Sequence, residues 1–357
     1  MATDAALSPR LGVGVIGLGN AAKPHARALQ DLQASHLQVT GVFARDAVRR
    51  SAFAAAHGFP DITTAEALVA DPRTQALLVL TPPNARLDLL RLAVAHRKPV
   101  LMEKPVGRTT AEAAQLVALA AEAGVPLGVV LQHRQRPGAR ALATLLDEGR
   151  LGRVGLVRLT VPWWRDQAYY DAPGRGTVAR DGGGVLLSQA IHALDLMLHL
   201  LGPVTSVMAM VGTSPLHRME TEDTAVAGLQ FASGAMGALV ATTAAFPGGS
   251  ELLQVDGEFG AAELGNGELV LRWRDGRVER SADPLASGTG SDPMAFDHGM
   301  HRAVIREFVE AMAAGRDAPV PARAVIAVQH FIDAILQSSR EGRRVEIPAQ
   351  HRSARRG

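Results

Sequence analysis

At 357 residues, with 47% apolar side chains and a formal net charge of +2, the chain has material for two packed cores and no gathering of basic residues that would mark a nucleic-acid partner. It has no cysteine, which excludes disulfides, thiolate metal sites and cysteine nucleophiles. The opening MATDAALSPR lacks the order of a signal peptide, and no apolar run reaches the roughly eighteen residues of a membrane span, so a cytoplasmic location without a membrane partner is expected.

From residue 11 to about 131, apolar strand-like runs alternate with helical patterns. GVGVIGL, a helix from 21 to 33, LQVTGVFA, a helix over 46 to 57 and ALLVLTP come first. A helix over 85 to 96, PVLMEKP, a helix from Thr110 to Ala123 and PLGVVLQ continue the series. Such alternation predicts a parallel sheet with helices on both faces, and its strands are apolar throughout, as doubly covered strands must be.

After residue 135 the rhythm changes. A helix over 138 to 148, a strand near GRVGLVRLTV and a polar aromatic loop lead into the helical run GGGVLLSQAIHALDLMLHLLG. The segments VTSVMAMVG, TAVAGLQFASGAMGALVATTAAF, ELLQVDGEFGAAELG and ELVLRWRDGRVERS then read as strands joined by tight turns, which suggests an antiparallel or mixed sheet. Helices over 300 to 314 and 322 to 340 follow. DPLASGTGSDP has the composition of a surface loop, and the basic end HRSARRG that of a solvated tail.

Gly17 to Ala22 form G-x-G-x-x-A between the first strand and the first helix. Glycines there let the backbone turn sharply and approach a pyrophosphate held at the helix N-terminus. The second strand ends VFARD, with Ala44 and Arg45 where an NAD site would often carry an acid. An arginine at that place suits a 2′-phosphate, so NADP is preferred to NAD, although Asp46 could still rotate in.

VLMEKPVG sets Glu103 and Lys104 at the carboxyl edge of a later strand, where open α/β sheets bind ligands. Only Lys23, Lys98 and Lys104 break the chain's preference for arginine. A lysine can pass or hold a proton where a guanidinium cannot, although Lys104 could also simply pair with a carboxylate. In the long run from 182 to 202, Ser188, His192, Asp195 and His199 would share one polar stripe on a continuous helix, which calls for a cavity, a ligand or a hydrogen-bonded network.

These stretches together resemble the Gfo/Idh/MocA oxidoreductases: GLGNAAKPH, LTPPNARLDL, VLMEKP, GGGVLLSQAIHALD and the terminal pattern from HRAVIREFVEAM to SSREGRRVEI, covering nearly the whole chain. The resemblance implies an α/β protein. A Rossmann dinucleotide-binding domain over 1–134 would precede an α/β domain over 135–357 with an open, mostly antiparallel sheet, which would bind substrate and join subunits into a homodimer or homotetramer. It further implies Lys104 and His192 as the catalytic acid/base pair. Gly17, Gly19, Asn20, Ala21, Ala44, Arg45, Thr81, Pro82, Asn84, Glu103 and Lys104 would lie on the cofactor side. Where relatives often carry Asp, four residues before the histidine, this chain has Ser188, so a relay through that acid is in doubt. Arg86 stands where relatives often carry histidine, which would alter the nicotinamide side of the pocket. No metal is expected, because the family needs none and HxxDxxxH is a weak ligand pattern.

PWWRDQAYYDAPGRGTVARDGGG concentrates two Trp, two Tyr and several Arg ahead of the GGG run. Aromatic faces stack on sugar rings and arginines read hydroxyls, carboxylates or phosphates. Arg165, Tyr169, Tyr170 and Arg175 are therefore the substrate candidates, with Gln132, His133 and Arg134 on the other side, Ser188 and His192 from the helix, and His301 within possible reach. The expected activity is hydride transfer between NADP or NAD and a secondary alcohol or ketone of a sugar, sugar acid, nucleotide sugar or cyclic polyol. The alternatives are an enzyme acting on an aromatic-derived diol and a non-catalytic NADP(H)-binding regulator.

Overall fold

A computed structural model describes residues 10–283 and 297–348; most of the DPLASGTGSDP loop and the HRSARRG tail lie outside them. The chain divides into two compact units.

The first unit comprises the chain up to Gln132 together with 297–325. It opens with β1 (Leu11–Ile16), α1 (Ala22–Leu32), β2 (Leu37–Phe43), α2 (Ala47–His57), α3 (Ala65–Ala70) and β3 (Ala76–Val79). It continues through α4 (Arg86–Ala95), β4 (Val100–Met102), α5 (Thr110–Glu122) and β5 (Leu127–Val129). The strands form one parallel sheet in the order β2-β1-β3-β4-β5, so the chain reverses direction across the sheet at β1 and β3. Leu11 to Ile16 and Ala76 to Val79 are buried along their whole length, as helices on both faces require. Caps set the helix limits. The Asp46 side chain accepts from the Arg49 N–H at the start of α2, and Gly58 ends that helix in the left-handed conformation at φ 67°.

The second unit holds α6 (Pro137–Asp147), β6 (Val154–Pro162), three short helices α7 (Gln167–Asp171), α8 (Val178–Asp181) and α9 (Val185–Ser188), and the longer α10 (Ile191–Leu201). Then come β7 (Val204–Gly212), β8 (Thr224–Phe231), β9 (Met236–Thr242), β10 (Leu252–Gly257), β11 (Gly260–Gly265), β12 (Glu268–Trp273) and β13 (Val278–Ala282). A nine-stranded sheet runs β13-β12-β11-β10-β6-β9-β8-β7-β14 and is antiparallel except for the β6–β9 pair. Its last strand, β14 (Val345–Glu346), follows two helices, α11 (Gly299–Ala313) and α12 (Arg323–Glu341). One sheet face meets α6, α9, α10 and α12 in a core that includes Leu159, Leu194, Leu239 and Phe331. On the other, Leu156, Met208, Met210, Val226, Met236 and Val240 are exposed. The alternation in β8, with Ala225, Ala227 and Leu229 in and Val226 out, follows from the two-residue period of a strand.

Two expectations are corrected. The division 1–134 and 135–357 leaves out the return of 297–325, where α11 packs Val304, Ile305 and Phe308 into the first unit's core and Asp31 of α1 takes hydrogen bonds from His298 at 2.8 Å and Arg302 at 3.0 Å. The run 182–202 is not one helix either. It breaks between Ser188 and Ile191, and the two arms are bent by 49°. At the break the Gln189 and Ala190 N–H groups both donate to the Val185 carbonyl, at 3.1 and 2.8 Å, while the start of α9 is capped by Glu222, whose carboxylate accepts from the Gly184 N–H at 3.0 Å and the Leu186 N–H at 3.1 Å. No single helix among the described residues is long and apolar enough to cross a membrane.

Candidate active site

In the first unit the glycine turn leaves β1 at the point where strand order reverses. Gly17 has φ +100°, and a Cβ there would lie 2.7 Å from the Thr81 nitrogen, so only glycine lets the two strand ends come this close. A Cβ on Gly19 would meet nothing within 4 Å. No side chain caps α1; the Ala22 N–H donates to the Gly19 carbonyl at 3.0 Å and the Lys23 N–H to the Asn20 carbonyl at 3.4 Å, so the turn is closed by backbone alone. The hydroxyl oxygen of Thr81 is buried and has no partner among the described residues. Open backbone, a helix N-terminus and an orphaned hydroxyl at a switch point fit a dinucleotide pyrophosphate. At the end of β2, Arg45 is exposed, while Asp46 is committed to the α2 cap and does not turn back toward the strand end.

The turn after β4 is held from three directions. Arg86 is buried and donates to the carbonyls of Thr81, Glu103 and Pro105, which ties the ends of β3 and β4 together. Burial lowers its pKa to about 10, against the opposing pull of Glu103. Arg86, expected to alter the nicotinamide side, spends its guanidinium on these backbone oxygens. Glu103 accepts from His25 Nε2 at 2.8 Å on one oxygen and from the Lys104 N–H at 2.9 Å on the other. Burial alone would raise its pKa, yet the His25 hydrogen bond, with the charges of His25, Lys104 and His301, holds it down at about 2. Lys104 itself is half-buried.

His301, placed by sequence within possible reach of the pocket, packs edge-on against His25 with ring centroids 4.8 Å apart. Burial, then the neighbouring His25 charge, pushes its pKa down to about 3. By residue type, His25, Glu103 and His301 could hold a metal, since their ligating atoms lie within 4.8 Å of one another. Both Glu103 oxygens are already hydrogen-bonded beside a lysine, so the cluster is better described as the anchor of the Glu103–Lys104 turn.

In the second unit, His192 begins α10 and is buried, and its ring lies 5.0 Å from that of His133 at 34°. His133 Nδ1 is 3.2 Å from a Glu251 oxygen. Arg134, expected at the substrate, is bound to Asp195 through two hydrogen bonds, which also fixes Asp195 in a structural role. Ser188 donates to the Gly183 carbonyl at 3.3 Å, and His199 is exposed. The four residues of the supposed stripe therefore have separate surroundings.

In the aromatic loop, Arg165 and Arg175 lie over the Tyr169 ring at 5.5 and 4.0 Å. Arg165 is buried and donates to the Trp164 carbonyl at 2.6 Å, and its own carbonyl faces His217 Nε2 at 2.8 Å. The Tyr170 hydroxyl meets that of Thr243 at 2.6 Å, and burial pushes its pKa up to about 12. Tyr169 and Arg175, both partly exposed, are the more accessible of the four candidates. Gln132 carries a buried Oε1 without a partner among the described residues. Glu222, His217, Asp223 and Glu251 escaped the sequence reading. The only available signal was an acid or histidine amid apolar residues, as at Glu251 before β10.

Residues 11–131 match the profile described as the oxidoreductase family with NAD-binding Rossmann fold, and residues 139–263 match the GFO/IDH/MocA C-terminal domain. The protein is thus an NAD-binding oxidoreductase. It is similar to inositol 2-dehydrogenase of Rhizobium meliloti (strain 1021), at 25% identity over 94% of this chain and 98% of the relative. It is also similar to 1,5-anhydro-D-fructose reductase of Ensifer adhaerens, at 29% identity over 62% of this chain and 66% of the relative. The crystal structure of the WlbA dehydrogenase from Bordetella pertussis in complex with NADH and UDP-GlcNAcA matches with TM-score 0.81 at 26% identity, covering 96% of this chain and 100% of that one. The chain belongs to the GFO/IDH/MocA family.

Proposed function

We propose that the protein interconverts a secondary alcohol and its ketone on a sugar, sugar acid, nucleotide sugar or cyclic polyol, with Lys104 and His192 handling the proton of the reacting oxygen. The bound dinucleotide supplies or takes up the hydride. In the oxidising direction a neutral His192 nitrogen accepts the hydroxyl proton, while the Lys104 ammonium holds the developing charge on that oxygen. Tyr169, Arg175, Gln132 and Ser188 orient the ring and its hydroxyls.

The observation that carries this reading is the anchoring of Lys104. A buried carboxylate bonded to His25 and an arginine clamp hold the backbone turn that carries Lys104 at the carboxyl edge of a parallel sheet. Relatives named for an inositol, an anhydrofructose and a UDP-sugar acid support the substrate class. Arg45, with Asp46 committed to its cap, favours a cofactor with a 2′-phosphate, so NADP is proposed ahead of NAD. A second copy of the chain is the proposed cover for the exposed face of the nine-stranded sheet, in a dimer or tetramer. The test is turnover on a panel of cyclic polyols, aldonic acids and UDP-sugars, followed by NAD(P)H absorbance. Dinucleotide binding with no turnover across that panel would favour a cofactor-sensing regulator instead.

A further inference from the structure

Burying a carboxylate in an apolar wall is costly unless a charge partner offsets it. Glu251 is buried and borders a small void together with Arg136, Leu159, Leu196 and Leu253. Arg136 is already bound to Asp283, through Nε at 2.7 Å and Nη2 at 2.6 Å. The Glu251 oxygen instead lies 3.2 Å from Nδ1 of the buried His133. The His133 ring in turn lies against His192 at 5.0 Å. Carboxylate, imidazole and imidazole thus follow one another from the edge of β10 to the first turn of α10.

We propose that Glu251 and His133 are positioning residues for His192: the carboxylate keeps the shared proton on His133, and His133 thereby keeps His192 neutral and ready to accept one. This rests on the role given to His192 above. Two imidazolium rings this close repel, so charging both at once is disfavoured. Glu251 contacts His133, and that contact decides which ring keeps the proton. Near α10, Arg134 pairs with Asp195 and Arg136 with Asp283. Ser188, four residues before His192, offers only a hydroxyl. The Glu251 carboxylate, 3.2 Å from His133 Nδ1, is the acid this proposal assigns to the imidazole pair.

The test is the pH profile of kcat/KM, paired with an NMR titration of the His192 ring nitrogens in the full-length enzyme. With Glu251→Gln, the proton is no longer held on His133 and spreads to His192. The acid limb and the His192 titration should both move up by about one pH unit or more. His133→Asn should move them the same way by removing the repelling charge, and Glu251→Asp should restore most of the original profile. Activity lost uniformly across the profile, with the His192 titration unmoved in both Glu251→Gln and His133→Asn, overturns the proposal and leaves Glu251 a structural residue. A His192→Ala enzyme that keeps native turnover overturns the catalytic reading instead, whatever the titration shows.

Discussion

Arg134 meets Asp195 side-on, with Nε donating to Oδ2 at 2.7 Å and Nη2 to Oδ1 at 2.5 Å, so a residue placed by sequence beside the substrate is in fact the tie between the turn before α6 and the middle of α10. Asp195 is buried. Removing the arginine strands a charge in the core, and Arg134→Leu should cost about 3 kcal/mol or more in urea unfolding. The double variant Arg134→Leu/Asp195→Leu, which removes both charges, should recover much of that loss. If the single variant unfolds at the wild-type midpoint, the pair contributes little to the unit.

The two glycines of the phosphate turn should separate stability from binding. Gly17→Ala forces a Cβ against the Thr81 nitrogen at a positive φ and should lower the melting temperature. Gly19→Ala meets nothing in the protein and should melt like wild type. Its methyl group nevertheless projects into the proposed cradle, so dinucleotide affinity measured by calorimetry should fall by about tenfold or more. Native affinity in Gly19→Ala would move the pyrophosphate elsewhere.

Lys104→Ala should abolish turnover and leave NADP(H) binding largely intact, because the lysine is assigned to the reacting oxygen and not to the phosphates. Near-native rates in this variant would make the assigned chemistry wrong. Arg45→Asp should weaken NADP more than NAD, read as a ratio of dissociation constants; equal weakening of both would withdraw the 2′-phosphate role.

Acid should act on the first unit through His301 before Glu103. Folded His301 stays neutral down to about 3, whereas the unfolded chain protonates this ring near the ordinary 6.5. Between those values the unfolded state binds the extra proton, so stability falls as pH falls, by up to about 1.4 kcal/mol per pH unit. Glu103 has the opposite kind of group and the same direction of effect. Its stabilisation is complete above the ordinary 4.5 and is lost as pH drops toward about 2. His301→Gln should therefore flatten the urea midpoint between about pH 6.5 and pH 4.5 without removing the steeper loss below. An unchanged slope would show that His301 is protonated in the folded protein.

The backbone plan was legible because each strand of the first unit is short, wholly apolar and followed by a helical period, and because hairpin turns punctuate the second. Catalytic candidates such as Lys104 stood out through rarity, as one of three lysines. The partners of Arg86, Arg134 and Tyr170 were not legible for a common reason: residue type reports what a side chain can bind, while those partners are carbonyls, Asp195 and Thr243, up to 73 residues away in the chain. The break between Ser188 and Ile191 was hidden because the run is locally suited to one long helix, and the Glu222 carboxylate that caps the start of α9 lies 36 residues from Leu186 in the chain.

Because α11 supplies part of the inner packing against α1, the nucleotide-binding half cannot be completed from its own first 132 residues. During synthesis, that half must wait with an uncovered apolar flank until the ribosome has delivered the chain to about residue 325, long after its sheet has emerged. An expression fragment cut before Gly299 would carry the same exposed flank permanently, so a minimal cofactor-binding module has to be built by grafting residues 297–325 back on, not by simple truncation.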